Sequence, residues 1–436
     1  GYGYATLQGW SAEQILAHYY PDTELEQSAP DTISVRLMGR DGKDVAVHAG
    51  APMTAGGHEI PAGQAVTLHP TQAGADVTVT EGCGGAVVDS FSTGDPVVHP
   101  VDPGVNRPAN EQLRLCDGDA PYRGTIAVAL DGGDARTVNT AAMDDYLRGV
   151  VPVESSPGWA DTGGFEALRA QAVAARSYAA AEHNYDYADT CDTQACQVYK
   201  GTAAEDPRTD RAIAETAGTV VTRGGEVMAT EFSASTGGYT AGGDFGAVED
   251  AGDAVSPTHD WTQTVTAQQV SDAFEVGPLE SMAVTERNGQ GADGGRVKTL
   301  HVVGADRTVD VSGDEARREL GLKSDWFTIE GQDGPGGPAS SLPPDSIDPG
   351  VLDPAAPEPG PGTLPESADA VGDTADMAGG AGISGEDVRS AADALSGVPE
   401  AVGADSDLGG AIGAVGAAAA RGLDAYGDTQ AAGETP

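Results

Sequence analysis

The chain has 436 residues, enough for two or three domains, and carries 68 Asp and Glu against 23 Lys and Arg for a formal net charge of −45 at pH 7. Such an excess is repelled by nucleic acid and by anionic membrane surfaces, which excludes both as partners. There is no phosphate-cradling glycine loop with a following lysine and no dinucleotide fingerprint after a strand, so no cofactor is expected.

Residues 1–22 read as a short N-terminal helical segment, with a helix over 11–20 opened by a capping box from Ser11 to Gln14. Lacking an initiator methionine and a signal peptide, the chain is expected to be a fragment or a processed form. From 23 to 113, short β-like runs at 33–37, 65–68 and 77–80 are punctuated by Gly, Pro and Asp. They predict a small β-rich domain of sandwich or barrel type, a scaffold ahead of an α+β domain over 114–330.

Within that α+β domain a helix is predicted over 140–149, capped by Asn139 or Thr140, with Met143, Tyr146, Leu147 and Val150 on one stripe. A second is predicted over 164–183 with Thr162 as its cap. Between them, the run Val150-Val151-Pro152-Val153-Glu154-Ser155-Ser156-Pro157 carries a single acid. Pro152 and Pro157 block helix continuation, which sets Glu154 on a short, stiff connection rather than on a solvated helix face. A carboxyl held in one pose at such a place takes a perturbed pKa, the property that proton transfer needs. On the residues alone a structural role stays open: an ion pair with Arg148 or Arg176, or a cap on the following helix.

Gln171 and Arg176 are polar groups on a helix otherwise built of small residues, and solvent-facing positions are the plain alternative for both. A third helix over 209–217 stops at Gly218 and leads into a hairpin, 219–222 and 227–233, joined by Arg223-Gly224-Gly225-Glu226. Its second strand delivers Ser233, Ser235, Thr236, Gly237, Gly238 and Tyr239, where glycines let backbone approach a ligand and hydroxyls supply hydrogen bonds. That set suits a sugar. Ordinary loop hydrogen bonding is the other reading of the hydroxyls, as it is for Gln197 and Tyr199.

From Gly334 onward the chain is Pro, Gly, Ala, Ser and acid, with 17 Asp and Glu against 2 Arg, a net of −15 that leaves −30 for the rest. Residues 331–436 are therefore expected to be a disordered acidic tail, with at most transient helices over 384–395 and 411–425. Neither piece is long or apolar enough to span a membrane.

Five ordered motifs carry a resemblance. Tyr146-Leu147-Arg148-Gly149-Val150, then Glu154, the helix from Glu166 to Tyr178, Cys191-Asp192-Thr193 with Cys196-Gln197-Val198-Tyr199, and Ser235-Thr236-Gly237-Gly238-Tyr239 together resemble the SpoIID/LytB family. The resemblance covers roughly residues 115–327 and includes a closing stretch over 320–327. It implies peptidoglycan processing outside the cell membrane, by lytic transglycosylases or by enhancers of an N-acetylmuramoyl-L-alanine amidase. Glycan strands are thus the implied substrate and a cell-wall amidase an implied partner. In the transglycosylases the glutamate matching Glu154 is the acid/base, and Gln171, Arg176, Gln197, Tyr199, Ser233, Ser235, Thr236, Gly237, Gly238 and Tyr239 are the implied groove. An ordinary glycoside hydrolase needs two carboxyl groups, a route that Glu231, Asp192 and Asp244 keep open.

Some relatives hold zinc near the second cysteine pair with cysteines and histidines, but Ala195 stands here where histidine is common, so no metal is expected. In an extracytoplasmic setting four cysteines imply disulfides, Cys191 with Cys196 and Cys83 with Cys116, although other pairings stay open. Relatives also carry a Gly-His-Gly segment and a Gln-Trp-Gly-Ala run before the first helix, of which Gly1-Tyr2-Gly3-Tyr4-Ala5 resembles only the end.

Overall fold

The structure, a computed structural model, describes residues 1–330 and the two-residue strand Ser340–Ser341; the expected acidic tail and its pieces at 384–395 and 411–425 lie outside the described residues. Helices α1 (Tyr2–Leu7) and α2 (Ala12–Tyr19) come first. The expected capping box opens α2, with Ser11 Oγ accepting from the Gln14 amide at 3.3 Å and Gln14 Oε1 from the Ser11 amide at 2.9 Å.

Alternating burial along Thr32–Arg36, Val45–His48 and Gly74–Thr80 marks strands with one face in a core. A six-stranded sheet runs in the order Pro121–Tyr122, Leu113–Leu115, Val45–His48, Ala65–Thr71, Gly74–Thr80, Val87–Thr93. A seven-stranded sheet runs Thr190–Cys191, Thr32–Arg36, Asp134–Ala142, Thr125–Asp131, Val97–Pro100, Met53–Ala55, His58–Ile60. Strand Thr125–Asp131 lies against Ala65–Thr71, and Val35, Val47, Val66, Leu68, Val98 and Ile126 fill the space between as one core.

Residues on the two sides of 113/114, expected to divide a β-rich domain from the next, are bonded into common sheets. Strand Asp134–Ala142 has hydrogen-bonding groups on both edges and takes Thr125–Asp131 on one and Thr32–Arg36 on the other. Thr190–Cys191 adds to Thr32–Arg36 in parallel, and Glu24–Gln27 pairs with Thr219–Arg223. The shared core continues into Tyr146, Leu147, Val150, Ala172 and Tyr199. Both expected disulfides are formed, Cys83–Cys116 and Cys191–Cys196, each with a Cα separation of 5.5 Å.

Helix α3 (Met143–Glu154) starts directly after the strand, with Ala142 as a cap that makes no side-chain hydrogen bond. Asn139 and Thr140, expected as caps, are strand residues instead. Pro152 does not end the helix at Gly149 as expected: it lies in the last turn, where its missing N–H removes a single bond, and the Ser155 amide still closes on Val151 O at 2.9 Å. Glu154 is consequently the final residue of α3 rather than part of a separate connection.

Helix α4 (Phe165–Ala181) is capped by Gly164, while the Thr162 hydroxyl turns back to Trp159 O at 3.3 Å. Helix α5 (Pro207–Glu215) begins at Asp206, which accepts from the Arg208 amide at 2.9 Å. The hairpin after it is short, since its return strand is only Glu226–Val227. Residues 233–239 therefore form a loop, not the strand end expected. Beyond them, α6 (Ala267–Phe274) and α7 (Gly313–Glu319) accompany a four-stranded sheet ordered Thr308–Val311, Val297–Gly304, Leu279–Arg287, Ser340–Ser341. Val270, Phe274, Leu300 and Val302 give that part its own core. The architecture is α+β, and no helix among the described residues is long and apolar enough to cross a membrane.

Candidate functional site

A cavity of about 1390 Å³ opens where the end of α3, the N-terminal helices, the loop 233–246 and the segment 320–330 meet. Glu154 stands on its wall because the extra turn of α3 carries it there. The Val198 amide donates to Glu154 Oε1 at 3.2 Å, and among the described residues no cation pairs with the carboxyl. Arg148 turns instead to Asp145 and Asp210, and Arg176 to Asp144. Burial raises the Glu154 carboxyl above its ordinary value, and the single amide hydrogen bond only partly opposes this. A half-buried, uncompensated carboxyl of this kind holds a proton longer than an exposed one and can deliver it.

Gln171 lies beside it. Its Oε1 accepts from Ser155 Oγ at 3.3 Å, whereas its Nε2 is buried and has no partner among the described residues, although the side chain borders the cavity. An unpaired buried donor at a cavity edge is suited to a ligand oxygen. Ser233, Ser235, Thr236 and Gly237 also line the cavity.

Three expected groove residues are packed beneath the wall. Arg176 is fully buried and ties Asp144 (2.9 Å) to the carbonyls of Thr219 (3.1 Å) and Ile213 (3.3 Å). Gln197 accepts from Tyr146 Oη at 3.0 Å and donates to Ala175 O at 3.3 Å, and Tyr199 donates to Asn139 Oδ1 at 2.8 Å. Their polar atoms are satisfied inside the fold. Gly238 and Tyr239 serve the loop: the Asp250 amide donates to Gly238 O at 2.9 Å, and Arg296 donates to Tyr239 O at 3.3 Å.

The loop hydroxyls are engaged by acids that sequence reading did not single out. Ser235 Oγ donates to Asp253 at 2.9 Å, and Thr236 Oγ1 donates to Asp250 at 2.9 Å. The Tyr19 hydroxyl reaches the other Asp250 oxygen at 2.8 Å. Of the candidate second carboxylates, Glu231 borders the cavity; Asp192 accepts from the Met38 amide at 2.9 Å and is not on its wall, nor is Asp244.

Trp159, Trp261 and Trp326 line the cavity as well. Trp326 rests on Gly237, where a Cβ would come within 2.9 Å of the indole, and the Arg296 guanidinium lies 5.6 Å from its ring centre. Flat aromatic faces among a few fixed polar groups are the usual make-up of a small-ligand site. The tryptophans were legible only as composition, because their distances along the chain hide their meeting in space. Among the described residues no group of three or more His, Cys, Asp or Glu is placed to hold a metal ion.

Fold and site together define an α+β protein with one helix-end glutamate on an aromatic and hydroxyl-lined cavity. Residues 131–222, which contain α3, α4 and Glu154, match the model of the SpoIID family, described as Stage II sporulation protein. Over 124 residues the chain is 37% identical to an uncharacterized protein of Brachyspira hyodysenteriae, covering 28% of this chain and 30% of that one. Over 94 residues it is 37% identical to the amidase enhancer of Bacillus subtilis (strain 168), covering 22% of this chain and 12% of the relative. The match spans less than a third of either relative's length.

Proposed function

We propose that the protein processes cell-wall peptidoglycan outside the cell membrane, and that it is a lytic transglycosylase with Glu154 as its single acid/base. The observation that carries this reading is the Glu154 carboxyl itself: at a helix end, on a cavity wall, without a cation partner among the described residues, and shifted by burial toward the protonated form. Protonated Glu154 gives its proton to the glycosidic oxygen between N-acetylmuramic acid and N-acetylglucosamine as the C1–O bond breaks. The resulting carboxylate then takes the proton of the muramic acid 6-hydroxyl, whose oxygen bonds to C1 and closes a 1,6-anhydro ring. No water is consumed, and the glutamate ends protonated as it began.

In this scheme the free Gln171 Nε2 donates to a substrate oxygen beside the scissile bond, and the three tryptophans supply faces for sugar rings. Ser233 contributes at the rim. Digestion of purified peptidoglycan by the wild type and by Glu154→Gln, followed by mass spectrometry of the products, tests the assignment. The wild type is expected to release 1,6-anhydromuramic ends and the variant none; matching product profiles would remove Glu154 from the chemistry.

A second reading is supported by the name of the Bacillus subtilis relative, amidase enhancer. In it the same cavity holds glycan without cutting and presents it to a cell-wall amidase. Glycan binding without anhydro products, together with a faster partner amidase, would select this alternative.

A further inference from the structure

At the cavity wall the Asp253 side chain is 1% exposed and its carboxylate is fully engaged. Oδ2 accepts Ser235 Oγ at 2.9 Å and lies 2.7 Å from His259 Nδ1, while Oδ1 accepts the Thr236 amide at 2.7 Å. Burial alone would push this carboxyl up. The hydrogen bonds from His259, the Thr236 amide and Ser235 outweigh it and hold the group below its ordinary value. An ionised carboxylate only accepts, so at 2.7 Å His259 Nδ1 is the donor. His259 therefore carries a proton on Nδ1, which leaves Nε2 as the ring nitrogen able to meet a ligand. The imidazole is 29% exposed and borders the cavity, and Nε2 has no hydrogen-bond partner among the described residues.

Ser235 points at Asp253 and not at His259, so these three side chains do not form a nucleophilic relay. What remains is an imidazole held in one pose through Nδ1. Two residues further along, Trp261 lines the same cavity, which puts a hydrogen-bonding atom and a flat apolar face on one short stretch of chain.

We propose that His259 is a glycan-binding residue whose Nε2 hydrogen-bonds to a hydroxyl or the acetamido group of a sugar ring lying against Trp261. The inference rests on the reading of the cavity as a glycan site. Asp253 is the positioning residue behind it, and Ser235 and Thr236 are the supports of Asp253 rather than direct sugar contacts. This gives the Ser-Thr-Gly-Gly loop a task one step removed from the ligand.

Two variants of the full chain separate the roles. In His259→Asn the carboxamide can take the place of Nδ1 and keep the bond to Asp253, with nothing replacing Nε2. In His259→Gln the carboxamide reaches the Nε2 position and leaves Nδ1 unreplaced. Binding is read by isothermal titration with soluble glycan strands freed of stem peptides by an amidase, and folding by thermal melting. His259→Asn is expected to melt with the wild type yet bind at least about tenfold more weakly, and His259→Gln to bind within about threefold of wild type. Wild-type binding by His259→Asn overturns the proposal, because the histidine would then serve only to satisfy Asp253. If His259→Asn melts lower, His259→Gln decides: retained binding supports the assignment and lost binding overturns it. Absence of binding by the wild type itself would instead overturn the glycan reading of the cavity.

Discussion

Glu154 is held half in and half out of the protein, and the sign of its pKa shift makes a stability prediction. Burial raises the folded carboxyl above its ordinary value of 4.5, so the folded chain keeps this proton at a pH where the unfolded chain has lost it. Ionising Glu154 therefore destabilises the fold, fully above the folded pKa and not at all below the unfolded one. Glu154→Gln, a neutral isostere, is expected to melt higher than the wild type at pH 7, with the gap closing as the pH falls below the ordinary carboxylate value. Equal melting temperatures at pH 7 would show that the carboxyl is not held in a desolvated place. Arg176 presents the opposite case. Fully buried, it links Asp144 to two backbone carbonyls, and Arg176→Ala would take this donor from all three, the Ile213 carbonyl keeping the Thr216 amide and hydroxyl as donors. A loss of about 3 kcal/mol in urea unfolding is expected, toward the low end for a broken buried pair because Asp144 is partly exposed.

Helix α3 shows what could and could not be read before folding. The stripe of Met143, Tyr146, Leu147 and Val150 was legible as periodicity and is the buried face. Its ends were not, because both depend on neighbours distant in sequence. Asn139 and Thr140 were drawn into a strand by Thr32–Arg36, and Pro152 was tolerated because only one bond was at stake in the last turn. In the site, Glu154 stood out from its apolar surroundings, and Gln171, Ser233, Ser235, Thr236 and Gly237 do reach the cavity with it. Arg176, Gln197 and Tyr199 lie within the same motifs but point into the core, a distinction of direction that residue type does not carry. The helix also has a tight seat. A Cβ on Gly149 would come within 2.6 Å of both the Tyr199 ring and the Gly201 carbonyl. Gly149→Ala is thus expected to destabilise by about 1–3 kcal/mol, as overpacking does, and chemical denaturation would measure it. An unchanged midpoint would mean that α3 can lift from Tyr199 freely.

Across the whole molecule, strands close in sequence to residue 30 hold strands near 140, 190 and 220, so the fold depends on contacts that span long stretches of chain. The two disulfides divide unequally in that respect. Cys83–Cys116 spans 33 residues and Cys191–Cys196 only 5. Chain entropy then assigns roughly 4 kcal/mol to the first and roughly 2 kcal/mol to the second. Replacing both cysteines of each bridge with serine in separate proteins is expected to lower the denaturation midpoint more for the 83–116 pair, and the reverse order would point to strain or residual unfolded structure instead. The cavity likewise draws on the N-terminal helices, the end of α3, the loop from 233 and the stretch 320–330, and it gathers three of the four tryptophans of the chain, Trp159, Trp261 and Trp326. The protein's own ultraviolet emission is therefore chiefly a signal from that cavity. Any sugar that settles on those indoles should change its intensity or colour, so occupancy can be followed in native protein without a label.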